Sequence, residues 1–86
     1  MDIKDLRDNI DRIDADLIKL FAERMETAAK IADYKKQNNL PILNAEREKE
    51  VVEKVVSAVP KELQEYAETL YKTIFELSRS YQISQE

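Results

Sequence analysis

The stretch Ile3–Asn38, IKDLRDNIDRIDADLIKLFAERMETAAKIADYKKQN, decides the fold. Its apolar residues Ile3, Leu6, Ile10, Ile13, Leu17 and Leu20 are spaced 3-4-3-4-3, which on a helix keeps one stripe facing a partner. The same spacing then reaches Arg24 before it continues through Thr27, Ile31 and Tyr34, so an arginine stands where an aliphatic residue is due. No Gly or Pro interrupts the stretch. At 1.5 Å per residue the helix runs about 50 Å. A compact globule of this length has a diameter of roughly 30 Å. The helix is too long for its own domain, so its seam either projects into solvent or is covered by a second chain.

Moving outward, Asp2 is placed to cap this helix, with Asp5 three residues on completing a capping-box-like pair. Asp8 with Arg12 and Glu26 with Lys30 are i,i+4 surface pairs. Lys35 and Lys36 set positive charge near the C-terminus, where the macrodipole favours it. Asn38-Asn39-Leu40-Pro41 ends the helix, since Asn tolerates the left-handed conformation and Pro41 holds Leu40 extended. A second helix is expected from Asn44, its N-cap, to about Ser57, with Val51, Val52, Val55, Val56 and Val59 as its buried face. A strand over 51–56 competes locally, because valine is a mediocre helix former; the i,i+4 pattern and flanking charges favour the helix. Arg47 and Glu48 lie one turn before the first valines, on the same stripe. Pro60 opens a third helix that runs to about Gln82, with the stripe Leu63, Ala67, Leu70, Ile74, Leu77 and Tyr81. Ser78 and Gln82 flank the end of that stripe, and the last four residues are expected to fray.

The expected fold is therefore all-α, with one long, one short and one medium helix in a single domain over residues 1–86. With 86 residues, one core is marginal and oligomerisation is a common remedy. Gly 0 and Pro 2 alongside 37% charged residues fit the helical reading. A net charge of -4 argues against nucleic acid, which needs a basic surface. No apolar run approaches 18 residues and no signal-peptide core is present, so a soluble, cytoplasmic protein with no membrane partner is expected. Cys 0 and His 0 remove thiol chemistry and the commonest base and metal ligand. A di-metal bundle built on Glu-x-x-His elements is excluded, and no metal or cofactor is expected.

The polar residues on inward faces are Arg7, Arg24, Lys35, Arg47, Glu48, Ser78 and Gln82. Arg24 and Lys35, 11 residues apart, lie within about 20° of one helix face and about 16 Å along the axis. An excess of cations around one inward site implies an anionic ligand, and a carboxylate is the anion expected because the guanidinium fork fits it. A structural helical dimer, with its seam arginine snorkelling to the rim, accounts for the same pattern.

Taken together, LRDNIDRIDADLIKLFAERMETAAKIADYKK (6–36) and LPILNAEREKEVVEKV (40–55) resemble the all-helical class of chorismate mutases. The pieces that carry the resemblance are Leu6-Arg7, Ile10, Ile13-Asp14, Leu17, Leu20, Glu23-Arg24, Ala28, Ile31, Lys35, Arg47-Glu48 and the Ser78-x-x-x-Gln82 pair. It spans nearly the whole chain, and fits a free-standing enzyme or one domain of a fused one. It implies three-helix chains intertwined as a homodimer with two active sites. It also implies an isomerase that rearranges chorismate to prephenate in phenylalanine and tyrosine biosynthesis. By resemblance, Arg7 from the partner chain and Arg24 hold the substrate carboxylates. Lys35 and Gln82 donate to the ether oxygen, Glu48 accepts from the ring hydroxyl, and Arg47 and Ser78 complete the carboxylate side. Asn44 stands where many relatives carry Asp, which leaves its side chain's part in binding open. Two alternatives stay beside this reading: a non-catalytic helical interaction module, and an isochorismate pyruvate lyase on the same fold.

Overall fold

The computed structural model describes residues 2–85. Its elements, in order, are α1 (Ile3–Gln37), α2 (Ala45–Ser57), a 3₁₀ turn (Lys61–Leu63) and α3 (Gln64–Ser84). Asp2 caps α1 as expected, its carboxylate accepting from the Asp5 N–H at 3.0 Å. The surface pairing differs from expectation: Arg12 donates to Asn9 Oδ1 at 3.0 Å, and neither Asp8–Arg12 nor Glu26–Lys30 closes to an ion pair. Long exposed side chains gain too little from an i,i+4 pair to be held in it.

α1 ends where Asn39 takes φ 56°, the chain's single left-handed residue among those described. The Leu40 N–H then reaches the Lys35 carbonyl at 2.8 Å and the Asn39 N–H reaches that of Lys36 at 3.3 Å. This is a Schellman closure with Asn in the position glycine usually takes. Asn44 starts α2 by accepting from the Arg47 N–H at 3.0 Å, and residues 51–56 are helical rather than extended. At the third helix two expectations are corrected. Pro60, with ψ 155°, is still extended and leads into a 3₁₀ turn, so α3 begins at Gln64. Such a turn satisfies the first N–H groups where the entering chain is not yet helical. At the other end, Ile83 and Ser84 remain helical, held as Ser84 Oγ donates to the Tyr81 carbonyl; Glu86 lies outside the described residues.

α3 is the element on which both others pack, while α1 and α2 scarcely touch. Arg24 meets Ser78 and Ala28 meets Gln82, a constant offset, so α3 runs in the same direction as α1 there. α2 folds back along α3, because Glu48 near its start reaches Arg79 near the end of α3 while a short link joins their other ends. The face of α3 turned inward is Phe75, Ser78 and Gln82, with Tyr71 half-buried. The expected stripe is only partly covered: Leu63, Leu70 and Leu77 are exposed, and Ala67, Ile74 and Tyr81 half-buried. The α2 valines are half-buried as well.

The apolar core is correspondingly small. Ala28, Ala32 and Phe75 are the buried hydrophobic residues among those described. The seam Ile3, Leu6, Ile10, Ile13, Leu17 and Leu20 is uncovered by the described residues, its members being 40–62% exposed. The molecule measures 54 × 26 × 15 Å, its long dimension being the length of α1. Its radius of gyration is 15.9 Å, against about 12 Å for a compact chain of this size. Among the described residues no helix is long and apolar enough to cross a membrane.

Candidate active site

The gap between α1 and α2, floored by α3, is a cleft of about 400 Å³. Each helix lines it with one face repeated at i, i+3, i+4 and i+7, the spacing that places residues on one side of a helix. α1 supplies Arg24, Thr27, Ala28 and Ile31, with Lys35 one turn further on. α2 supplies Asn44, Arg47, Glu48 and Val51, and α3 supplies Phe75, Ser78, Arg79 and Gln82. Seven of the eight residues singled out in the sequence are thus brought to one cleft. Arg7 is not. It lies on the exposed part of α1, about 25 Å from Arg24 along the axis.

Arg24 is held from three sides. Its Nη1 donates to Ser78 Oγ at 3.2 Å, and its guanidinium carbon lies 5.8 Å from the Tyr71 ring centre and 5.7 Å from that of Phe75. The two rings, edge to face at 6.0 Å, offer their electron-rich faces to the cation. Ser78, itself buried, accepts from Arg24 and donates to Met25 Sδ at 3.8 Å. The arginine is oriented by neutral groups, and no carboxylate among the described residues lies within 4 Å of it.

Lys35 is likewise without a carboxylate partner among the described residues. Its Nζ donates to the Ile42 carbonyl at 2.7 Å, so the turn that ends α1 returns to hold the side chain that precedes it. An ammonium has three hydrogens, and this bond uses one.

Gln82 is buried, and its Nε2 donates to the Ala28 carbonyl at 2.9 Å. A carbonyl only accepts, so this contact fixes which end of the amide carries nitrogen. Ala28 lets the contact form, since a larger side chain on that turn would push α3 away. The second hydrogen on Nε2 is left for the cleft that Gln82 lines.

On the α2 side the structure departs from a simple cation cluster. Glu48 forms an ion pair with Arg79, each about 30% exposed. Arg47 turns outward to Glu50 at 3.4 Å, on a well-exposed surface, so only part of its side chain borders the cleft. Asn44 spends its side-chain oxygen on the α2 cap. The lining therefore carries four cations, Arg24, Lys35, Arg47 and Arg79, against the single carboxylate of Glu48. In a chain of net charge -4 this is a local positive site, suited to an anion.

Arg79 was not among the residues read from the sequence, although a cation one turn before Gln82 was a usable signal. Phe75 was also visible, because 75, 78 and 82 continue a 3-4 spacing. The Ile42 carbonyl had no signal, since a backbone group is silent in a sequence.

The comparisons with known proteins place the chain in a family. The family model described as "Chorismate mutase type II" matches residues 6–83. A bifunctional chorismate mutase/prephenate dehydratase of Aquifex aeolicus is 44% identical over 55 residues, which cover 64% of this chain and 15% of that protein. The protein of the same name from Buchnera aphidicola subsp. Acyrthosiphon pisum is 39% identical over 74 residues, covering 84% and 19%. A chorismate mutase of Methanocaldococcus jannaschii is 38% identical over 53 residues, covering 62% and 54%. This chain thus spans less than a fifth of the two bifunctional relatives and about half of the third. No solved structure gives a significant match. With the match covering nearly all of α1, α2 and α3, and the cleft built from all three, the chain belongs to the chorismate mutase type II family.

Proposed function

We propose that this chain is a chorismate mutase, a single-domain isomerase that rearranges chorismate to prephenate and works as a homodimer with two sites. The observation that carries the reading is the state of Arg24 and Lys35. Both are oriented within one cleft, and neither is neutralised by a carboxylate of the described residues. Two oriented cations lining one cleft without carboxylate partners suit an anion with two charged ends, and chorismate is a dicarboxylate.

The reaction is an intramolecular Claisen rearrangement: a carbon–oxygen bond breaks, a carbon–carbon bond forms, and no nucleophile or proton transfer takes part. The protein's task is to select the compact conformer and to aim charge at the transition state. Bond breaking runs ahead of bond making, so negative charge grows on the ether oxygen. Lys35 keeps two hydrogens and Gln82 one for that oxygen, and both are pinned beforehand by the Ile42 and Ala28 carbonyls. Donors fixed in advance strengthen as charge develops without reorganising, which is what raises turnover. Arg24, braced by Ser78 and two rings, holds one carboxylate, with Arg47 at the rim. Glu48 accepts from the ring hydroxyl.

The second carboxylate is assigned to Arg7 of a partner chain. An antiparallel pairing of two α1 helices through the exposed seam brings the start of one to the middle of the other, and a two-fold makes both sites equivalent. Burying that seam also supplies the core that one chain lacks.

The test is incubation of the pure protein with chorismate, following the loss of ultraviolet absorbance and identifying the product. Prephenate is the expected result. A folded protein that leaves chorismate unchanged beyond the uncatalysed rate overturns the reading in favour of a helical interaction module.

A further inference from the structure

We propose that Arg79 is a positioning residue that holds Glu48 in place to receive the substrate's ring hydroxyl. The proposal rests on the reading of Glu48 given above and adds to it a residue which that reading leaves without a role.

The Glu48–Arg79 pair differs from the chain's other two ion pairs among the described residues. Arg47–Glu50 and Glu68–Lys72 each lie within one helix on an exposed surface. Glu48–Arg79 joins α2 to α3, is about 70% shielded, and has both members lining the cleft. A bond between helices, partly withdrawn from water, is screened less and constrains more than an exposed pair within a turn.

Its geometry leaves Glu48 free to act. Arg79 Nη1 bonds one carboxylate oxygen, Oε2, and no hydrogen bond from the described residues engages Oε1. An ionised carboxylate accepts at both oxygens, so a hydroxyl can be received at the second while the first is held. Arg79 also decides where Glu48 does not go. The same cleft holds Arg24 and Lys35, and a carboxylate with no partner of its own would be drawn to them. It would then neutralise the cations that the substrate needs. Tied to α3 one turn before Gln82, Glu48 is kept at the α2 wall, and the substrate-binding charges stay open.

The experiment is a double-mutant cycle of Arg79→Met and Glu48→Gln, with kcat and KM measured separately on chorismate. Helix content and oligomer mass are recorded for each variant. Arg79→Met should lower kcat/KM by about 10- to 100-fold, the range that misplacement of a group in a preorganised site produces. In the Glu48→Gln background the same change should cost less than about threefold, because nothing is left to position. The penalty should shrink in the same way with chorismate lacking its ring hydroxyl, and Arg79→Lys should recover part of the loss. A purely structural role would move neither the hydroxyl dependence nor the coupling. An Arg79→Met penalty that is equal in both backgrounds overturns the proposal, and if that penalty falls mainly on KM then Arg79 binds a substrate carboxylate directly. A parent protein inert to chorismate is a separate outcome, which removes the mutase reading and the proposal with it.

Discussion

At the scale of single residues, three polar groups of the proposed site each make one structural bond and keep further hydrogens for a ligand. Lys35 has the Ile42 carbonyl, Gln82 the Ala28 carbonyl and Arg24 the Ser78 hydroxyl. Lys35→Ala should lower kcat by about 100- to 1000-fold, the cost of losing one preorganised donor, while circular dichroism stays that of the parent. Retention of a tenth or more of parental turnover would contradict the role given to Lys35. Gln82→Glu tests the neighbouring donor through pH. A glutamic acid donates only when protonated, and its ordinary pKa is about 4.3. Activity of this variant should therefore rise as the pH is lowered and fall away above it. A rate profile that follows the parent's across that range would separate Gln82 from the ether oxygen.

At the scale of elements, the connection between α1 and α2 is where folding and function meet. The Schellman closure at Asn39 turns the chain so that Ile42 arrives over Lys35, and Asn44 then starts α2 with Arg47 and Glu48 in its first turns. Asn39→Gly should be tolerated, because glycine takes a positive φ freely. Asn39→Val should destabilise by about 1–2 kcal/mol, since a β-branched residue is strained there. For a domain of this size a loss of 1 kcal/mol lowers Tm by about 4–8 °C. Asn44→Ala should cost about 1 kcal/mol through the lost cap, whereas Asn44→Asp should keep it, as thermal unfolding will show. Equal melting of the alanine and aspartate variants would mean that the Arg47 N–H has found another partner.

At the scale of the whole molecule, one chain has a site and too little core. On the proposed reading, its exposed seam and elongated shape are met by pairing two chains, and Arg7 tests that pairing. Arg7→Ala and Arg24→Ala should each be nearly inactive. Mixed under conditions that let chains exchange, they should recover about a quarter of parental activity. About half of the dimers are then mixed, and in each of these one site receives both arginines. Exchange verified by mass without any recovery would show that the two arginines do not serve one site. The melting temperature should also rise with protein concentration, as it does for any fold completed by association.

The sequence by itself determined the elements, because their causes are local. The 3-4 spacing without Gly or Pro makes α1 continuous; Asp2 and Asn44 cap by reaching three residues ahead; Asn39 accepts the left-handed turn. It also marked seven of the cleft's polar residues: Arg24, Lys35, Arg47 and Glu48 as charges on apolar stripes, Ser78 and Gln82 as neutral groups at the end of one, and Asn44 as a cap. What the tertiary structure decided is non-local. On α3, periodicity chose Leu63, Leu70 and Leu77, which stay exposed, whereas packing against α1 buried Phe75 together with Ser78 and Gln82. Gln82 there donates to the Ala28 carbonyl of α1, beside a small buried side chain, a fit that belongs to two surfaces meeting and not to either helix. Arg79 and Glu48, 31 residues apart, became partners only when α2 folded back along α3. The Ile42 carbonyl entered the site through the path of a turn, which no side chain records.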